Sequence, residues 1–124
     1  SEAEMVVCCD LNREAAEKAS QTYNIPNVET DFRAVLNRDD IDAVDVCLYN
    51  NLHAPVTIAA LEAGKHAYCE KPMAGTYHDA AQMLEASRRT GKRLHIQLST
   101  LYTNEVKAAK ELIEMGELGN VYHS

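Results

Sequence analysis

The sequence contains no tryptophan and no cysteine pair spaced C-x-x-C. It also lacks any apolar run of the roughly 20 residues that a membrane helix needs. Its formal net charge of -7 leaves no excess of lysine and arginine. That balance argues against broad binding to a nucleic-acid backbone and against anionic membrane surfaces. The opening residues Ser1-Glu2-Ala3-Glu4 are polar and acidic, so no signal peptide is expected there. Cys8, Cys9, Cys47 and Cys69 all sit in strand-like apolar runs, where free cysteine behaves as a small hydrophobe. Neither a disulfide nor a metal is expected, and a reducing cytoplasm is the natural setting. His66, His78, His95 and His123 share no metal-like spacing.

The 124 residues, 46% of them apolar, suffice for one small domain with its own core. Met5 to Cys9 is a continuous apolar run, as in strands buried on both faces of a parallel sheet. Asn12 caps a helix whose stripe is Ala15, Ala16, Ala19 and Tyr23, broken at Asn24-Ile25-Pro26-Asn27. Val28 to Thr30 reads as a short edge strand. Asp31 caps a short helix that turns Phe32, Val35 and Leu36 inward. Ala43 to Leu48 is the next strand. A helix follows with Pro55 in its first turn and Gly64 after its end. His66 to Cys69 forms another strand. Thr76 and Asp79 form a capping box, ahead of a helix with Ala80, Met83, Leu84 and Ser87 on one face and Gly91 as its stop. Leu94 to Leu98 is a strand. Asn104 caps a last helix with Val106, Ala109, Leu112 and Ile113 inward, ended by Gly116. Strands alternating with helices predict an α/β fold with a parallel sheet and right-handed crossovers.

Three polar clusters fall at strand ends, where ligands bind in open α/β sheets. Asp10 is placed to accept from a ribose hydroxyl or to cap the following helix. Arg13, three residues on, suits a 2′-phosphate. Asn50, Asn51 and His53 follow the second long strand, where amides orient a sugar or nicotinamide, or simply satisfy a turn. Gln97 and Tyr102 are weaker candidates for the same crevice. Glu70-Lys71-Pro72 is the most pointed cluster. Pro72 biases Lys71 towards extended geometry, and a lysine so held can aim its ammonium into a crevice and act as an acid. The alternative for Glu70-Lys71 is a surface ion pair. Gly116-Glu117-Leu118-Gly119 is a helix stop and turn, not a phosphate loop.

The segments Asp42 to Cys47, Asn50-Asn51-Leu52-His53, and Ala60 to Ala74 closely resemble the glucose-fructose oxidoreductase/inositol dehydrogenase/MocA family. The run Gly64-Lys65-His66-Ala67-Tyr68-Cys69-Glu70-Lys71-Pro72 is the most specific part. The resemblance covers essentially the whole chain. It implies a Rossmann-like parallel sheet with helices on both faces, NAD or NADP with NAD preferred on the strength of Asp10, and hydride transfer at a sugar, polyol or related carbonyl carbon. Lys71 takes the family's catalytic and ligand-binding lysine role, with Glu70 as its neighbour, and Asn50 and His53 match a cofactor-side segment. Asp10, Arg13 and Gln97 complete the expected cofactor set, a homo-oligomer is expected, and no metal is implied. Leu48-Tyr49 replaces the common Thr-Pro, and Leu101-Tyr102 replaces Arg-Phe.

On this resemblance, residues 1–119 are a partial dinucleotide-binding domain lacking the first strand, its glycine-rich turn and the second, α+β domain. Residues 120–124 begin the connection to that second domain. The chain alone is then expected to be inactive; the rival expectation is a non-enzymatic module for oligomerisation or regulation. Removing a central strand leaves two unpaired edges, which is costly. The Val6 strand is therefore expected to accept a strand from another chain, to move across and pair with the Val46 strand, or to pack by side chains alone or be disordered.

Overall fold

The computed structural model describes residues 3–122. Five strands and five α-helices alternate: β1 (Val7–Cys9), α1 (Arg13–Tyr23), β2 (Asn27–Glu29), α2 (Phe32–Leu36), β3 (Ala43–Val46), α3 (Asn50–Glu62), β4 (His66–Glu70), α4 (Tyr77–Thr90), β5 (Leu94–Gln97) and α5 (Asn104–Glu114). A 3-10 turn, Ser99–Tyr102, precedes α5. No helix among the described residues is long and apolar enough to cross a membrane.

Local chemistry explains most boundaries. The Asn12 side chain accepts from the Glu14 and Ala15 amides, and Asp31 accepts from that of Arg33. Thr76 accepts from the Asp79 amide, half of the expected capping box, while the Asp79 carboxylate accepts from the Thr76 hydroxyl and not from its backbone N–H. Asn24 and Gly91 end α1 and α4 in the left-handed region, at φ 54° and 69°. Helix α3 begins at Asn50, a turn earlier than Pro55 suggests. Asn50, Asn51 and His53 therefore occupy its first turn, and the proline lies inside it.

All strand pairs are parallel, but they form two sheets rather than the single one expected: β1 with β2, and β3-β4-β5. Strand β1 meets β2 from Val7↔Asn27 to Cys9↔Glu29. The rows Val44↔Ala67↔Leu94 and Val46↔Cys69↔Ile96 fix the larger sheet. Strand β1 does not move across to pair with β3, since it keeps its β2 partner. A cavity of about 430 Å³ stands between the two sheets, bounded by Cys9 and Asp10 of one and by Val44 and Val46 of the other, with Phe32 and Val35 of α2 in its wall. Each strand is held by its own βαβ unit, and the units meet through side chains. Phe32 packs against the core of the larger sheet, and the largely buried Lys65 ammonium donates to the Arg38 carbonyl at 2.6 Å.

That core lies where α3 and α4 cover one face of β3-β4-β5. Val46, Ala54, Val56, Cys69 and Met83 form one cluster, and Leu61, Ala67 and Ala86 the next. Burying a Leu, Val or Met side chain contributes about 1.5–3 kcal/mol. Three expected stripes are corrected. On α1 only Ala16 is buried, and Tyr23 is 72% exposed. On α4 the buried residues are Met83 and Ala86, with Leu84 outward. Helix α5 packs on the preceding 3-10 turn, and residues 98–122 are all exposed, so Val106, Leu112 and Ile113 reach no core.

Candidate active site

Because β3, β4 and β5 are parallel and in register, their carboxyl ends emerge side by side. Glu70 ends β4 directly opposite Gln97 at the end of β5. Past β3 the chain runs through Cys47, Leu48 and Tyr49 into α3. Asp10 leaves β1 in the other sheet and lines the cavity between the sheets together with Leu11, Cys47 and Leu48. Asp10 thus shares this cavity with the exit of β3, whereas Asn50, Glu70, Lys71 and Gln97 do not line it.

At the end of β4, the Glu70 carboxylate accepts from the Lys71 backbone N–H at 2.8 Å. The Lys71-Pro72 peptide bond is cis. Lys71 is exposed, and none of the ion pairs among the described residues includes it. Glu70 therefore holds the backbone of Lys71, and among the described residues the ammonium forms no ion pair. The side chains of Asn50, Asn51 and Gln97 likewise make no hydrogen bond with the described residues.

Asp10 is exposed, and its Oδ1 accepts from the Asn12 N–H at 2.8 Å. That bond orients the carboxylate and leaves Oδ2 open, while Asn12 takes the helix cap that Asp10 was a candidate for. Arg13 begins α1 and lies 3.5 Å from Glu17, an exposed i, i+4 pair of small energetic value. Tyr102 is 63% exposed in the 3-10 turn.

His53 departs most from expectation. It is 1% exposed, and both ring nitrogens face backbone carbonyls: Nδ1 lies 2.7 Å from Pro72 O and Nε2 2.9 Å from Leu48 O. In this arrangement neither nitrogen is open to a ligand, and the ring does not cap α3.

Two features escaped sequence reasoning. Cys47 donates to Asp45 Oδ1 at 3.4 Å. Partial burial, then the Asp45 charge and this hydrogen bond, push its thiol up from the ordinary 9.0 to about 11. The second is the Tyr68 and His95 stack across neighbouring strands, with ring centroids 4.7 Å apart. The first is a local contact between residues two positions apart, whereas only the pairing of β4 with β5 reveals the second. Among the described residues no group of acidic, cysteine and histidine side chains is placed to hold a metal.

The sequence and the fold are similar to those of known proteins. Levoglucosan dehydrogenase of Pseudarthrobacter phenanthrenivorans is 35% identical over 115 residues, which are 93% of this chain and 30% of that protein. Inositol 2-dehydrogenase of Salmonella typhimurium is 34% identical, over 96% of this chain and 36% of its own length. A solved levoglucosan dehydrogenase in complex with NADH and levoglucosan superimposes with a TM-score of 0.85 at 34% identity, covering 94% of this chain and 31% of that one. The chain thus spans about a third of the length of these relatives. The sequence profile described as "Oxidoreductase family, NAD-binding Rossmann fold" matches residues 1–98, and the chain belongs to that family.

Proposed function

We propose that the full-length protein is an NAD-dependent oxidoreductase acting on a sugar or polyol, and that Lys71 is its acid–base residue. The observation that carries this reading is Lys71 at the end of β4, its backbone held by Glu70 and its ammonium in no ion pair among the described residues.

The open polar groups fit parts of a dinucleotide. Asp10 Oδ2 suits a ribose hydroxyl and repels a 2′-phosphate, which favours NAD over NADP. Arg13, at the same end of α1, moderates that preference. The amides of Asn50 and Gln97 and the Lys71 ammonium suit the nicotinamide side. No G-x-G-x-x-G turn for the pyrophosphate occurs within the 124 residues, so this chain alone binds dinucleotide poorly and is inactive. A nicotinamide, when bound, supplies the hydride acceptor or donor. Lys71 then holds the proton at the substrate oxygen: it gives the proton as a carbonyl is reduced and takes it as an alcohol is oxidised. Residues 1–119 form the dinucleotide half, and residues 120–124, of which the last two lie outside the described residues, lead into a substrate domain. The relatives' names support a cyclic sugar or polyol as the substrate class, and a cytoplasmic homo-oligomer is the expected working form.

The test uses the full-length protein, NAD and NADP, and a panel of sugars, cyclic polyols and their keto forms, followed by nicotinamide absorbance. Hydride transfer with a panel member, more efficient with NAD, is the expected result. Absence of NAD(H) binding, or of transfer in either direction across the panel, overturns the assignment.

A further inference from the structure

The ladder between β3 and β4 ends at Val46↔Cys69. Among the described residues no backbone hydrogen bond joins segment 47–49 to segment 71–74. The link that exists is the His53 ring. One nitrogen meets the Leu48 carbonyl beyond β3, and the other meets the Pro72 carbonyl, one residue after Lys71. The ring sits at 1% exposure on the first turn of a helix that is itself packed on the sheet. Its position is therefore set by the core: Ala54 and Val56, next to it on α3, belong to the cluster containing Val46 and Cys69. Met73 and Ala74 pack against the same cluster from the other side of Pro72.

From this arrangement we infer that His53 is a positioning residue: a buried strut that spans the two strand exits and sets where Lys71 stands. The inference rests on the role proposed for Lys71, and it replaces a direct His53–cofactor contact with an indirect one. A carbonyl oxygen only accepts and a neutral imidazole has one N–H, so the neutral ring donates to one of the two carbonyls and packs against the other, and only the imidazolium bonds both. A leucine of similar bulk donates to neither. An asparagine supplies an amide group too short to span both carbonyls. Lys71 keeps its Glu70 tether in either variant, but the chain immediately after it is released at Pro72. A displacement of about 1 Å at a reacting group costs on the order of 100-fold in rate.

The experiment is a double-mutant cycle in the full-length protein between His53→Leu and Lys71→Met, with His53→Asn as the milder variant if leucine lowers folded yield. Thermal unfolding and NAD(H) affinity are measured on each. The expected result for His53→Leu is a 10- to 100-fold fall in kcat, with NAD(H) affinity within about threefold of wild type. In the Lys71→Met background the same substitution should cost less than about twofold, because a strut acting through Lys71 has nothing left to position. Amide NMR shifts in the ligand-free protein should change at 47–51 and 70–74 and stay fixed along the rest of α3. Losses that multiply in the double variant, a large loss of NAD(H) affinity with kcat preserved, or full activity of both His53 variants would each overturn the strut. If Lys71→Met itself retains wild-type kcat, the Lys71 role fails instead, and the amide shifts still decide whether His53 holds the two exits.

Discussion

Replacing Lys71 with methionine separates a chemical role from a structural one, because the structure assigns very different magnitudes to the two. Lys71 is exposed, and its loss breaks no ion pair among the described residues. The local tether runs from the Glu70 carboxylate to the Lys71 backbone N–H and survives any side-chain change except proline. Surface substitutions of this kind change stability by no more than about 0.5 kcal/mol, or about 1–2 °C in Tm for a protein of a few hundred residues. Losing a positioned acid–base group typically costs about 100- to 10,000-fold in rate, equivalent to about 2.7–5.4 kcal/mol of barrier. The expected barrier change therefore exceeds the stability change at least fivefold. The assay is kcat at saturating nicotinamide cofactor in the full-length protein, alongside a thermal melt. Lys71→Arg completes the set, since arginine keeps the charge but does not release a proton at neutral pH. It should restore ligand affinity more than turnover. Unchanged turnover in Lys71→Met, or loss of rate in step with loss of folded protein, would refute the reasoning.

Further outcomes follow from other named groups. Asp10→Ser should shift the ratio of NADP to NAD efficiency towards NADP by about tenfold or more, because a carboxylate facing a 2′-phosphate is removed; steady-state kinetics with both cofactors measures it. Met83→Ala should destabilise the fold by about 2–5 kcal/mol in denaturant unfolding, since Met83 is fully buried against Val46 and Cys69. Cys47, whose thiol is raised to about 11, should alkylate at pH 8 about 100 times more slowly than an ordinary thiol of equal exposure and accelerate up to about pH 11. The sign for stability is the matching one: the raised folded-state value stabilises the fold below the ordinary 9.0, and that contribution is lost as pH rises through about 11.

Order along the chain was legible because its determinants are local. Asn12, Asp31 and Thr76 cap helices two or three residues away, and Gly91 supplies the left-handed turn that ends α4. The apolar runs through Val46 and Cys69 are strands because both lie in a parallel sheet whose faces need covering. How β1 and β3 stand to one another was not legible, since each is satisfied on one side by a neighbour and nothing local specifies the other side. Helix α5 has a clear apolar stripe, but a stripe states only that a partner is wanted, and none of the described elements supplies it. The convergence of Glu70, Lys71 and Gln97 was visible from strand-end positions, whereas the His53 contacts were not. They join residues 5 and 19 positions apart, and one acceptor lies in a turn whose path is set by packing of Met73 and Ala74.

The cavity between the sheets bears on how the molecule opens. Among the described residues no strand ladder crosses it, so β1-β2 and β3-β4-β5 are separate ladders that meet through side chains and the Lys65-to-Arg38 carbonyl bond. Three-residue strands with half-buried side chains protect their amides far less than the strands beneath α3 and α4. Native-state hydrogen exchange should therefore resolve two cooperative units, with the Val7–Cys9 and Asn27–Glu29 amides exchanging through a partial opening while Val46, Cys69 and Ile96 wait for global unfolding. A strand laid between β1 and β3 would bond to both edges, and the two exchange regimes should then merge into one.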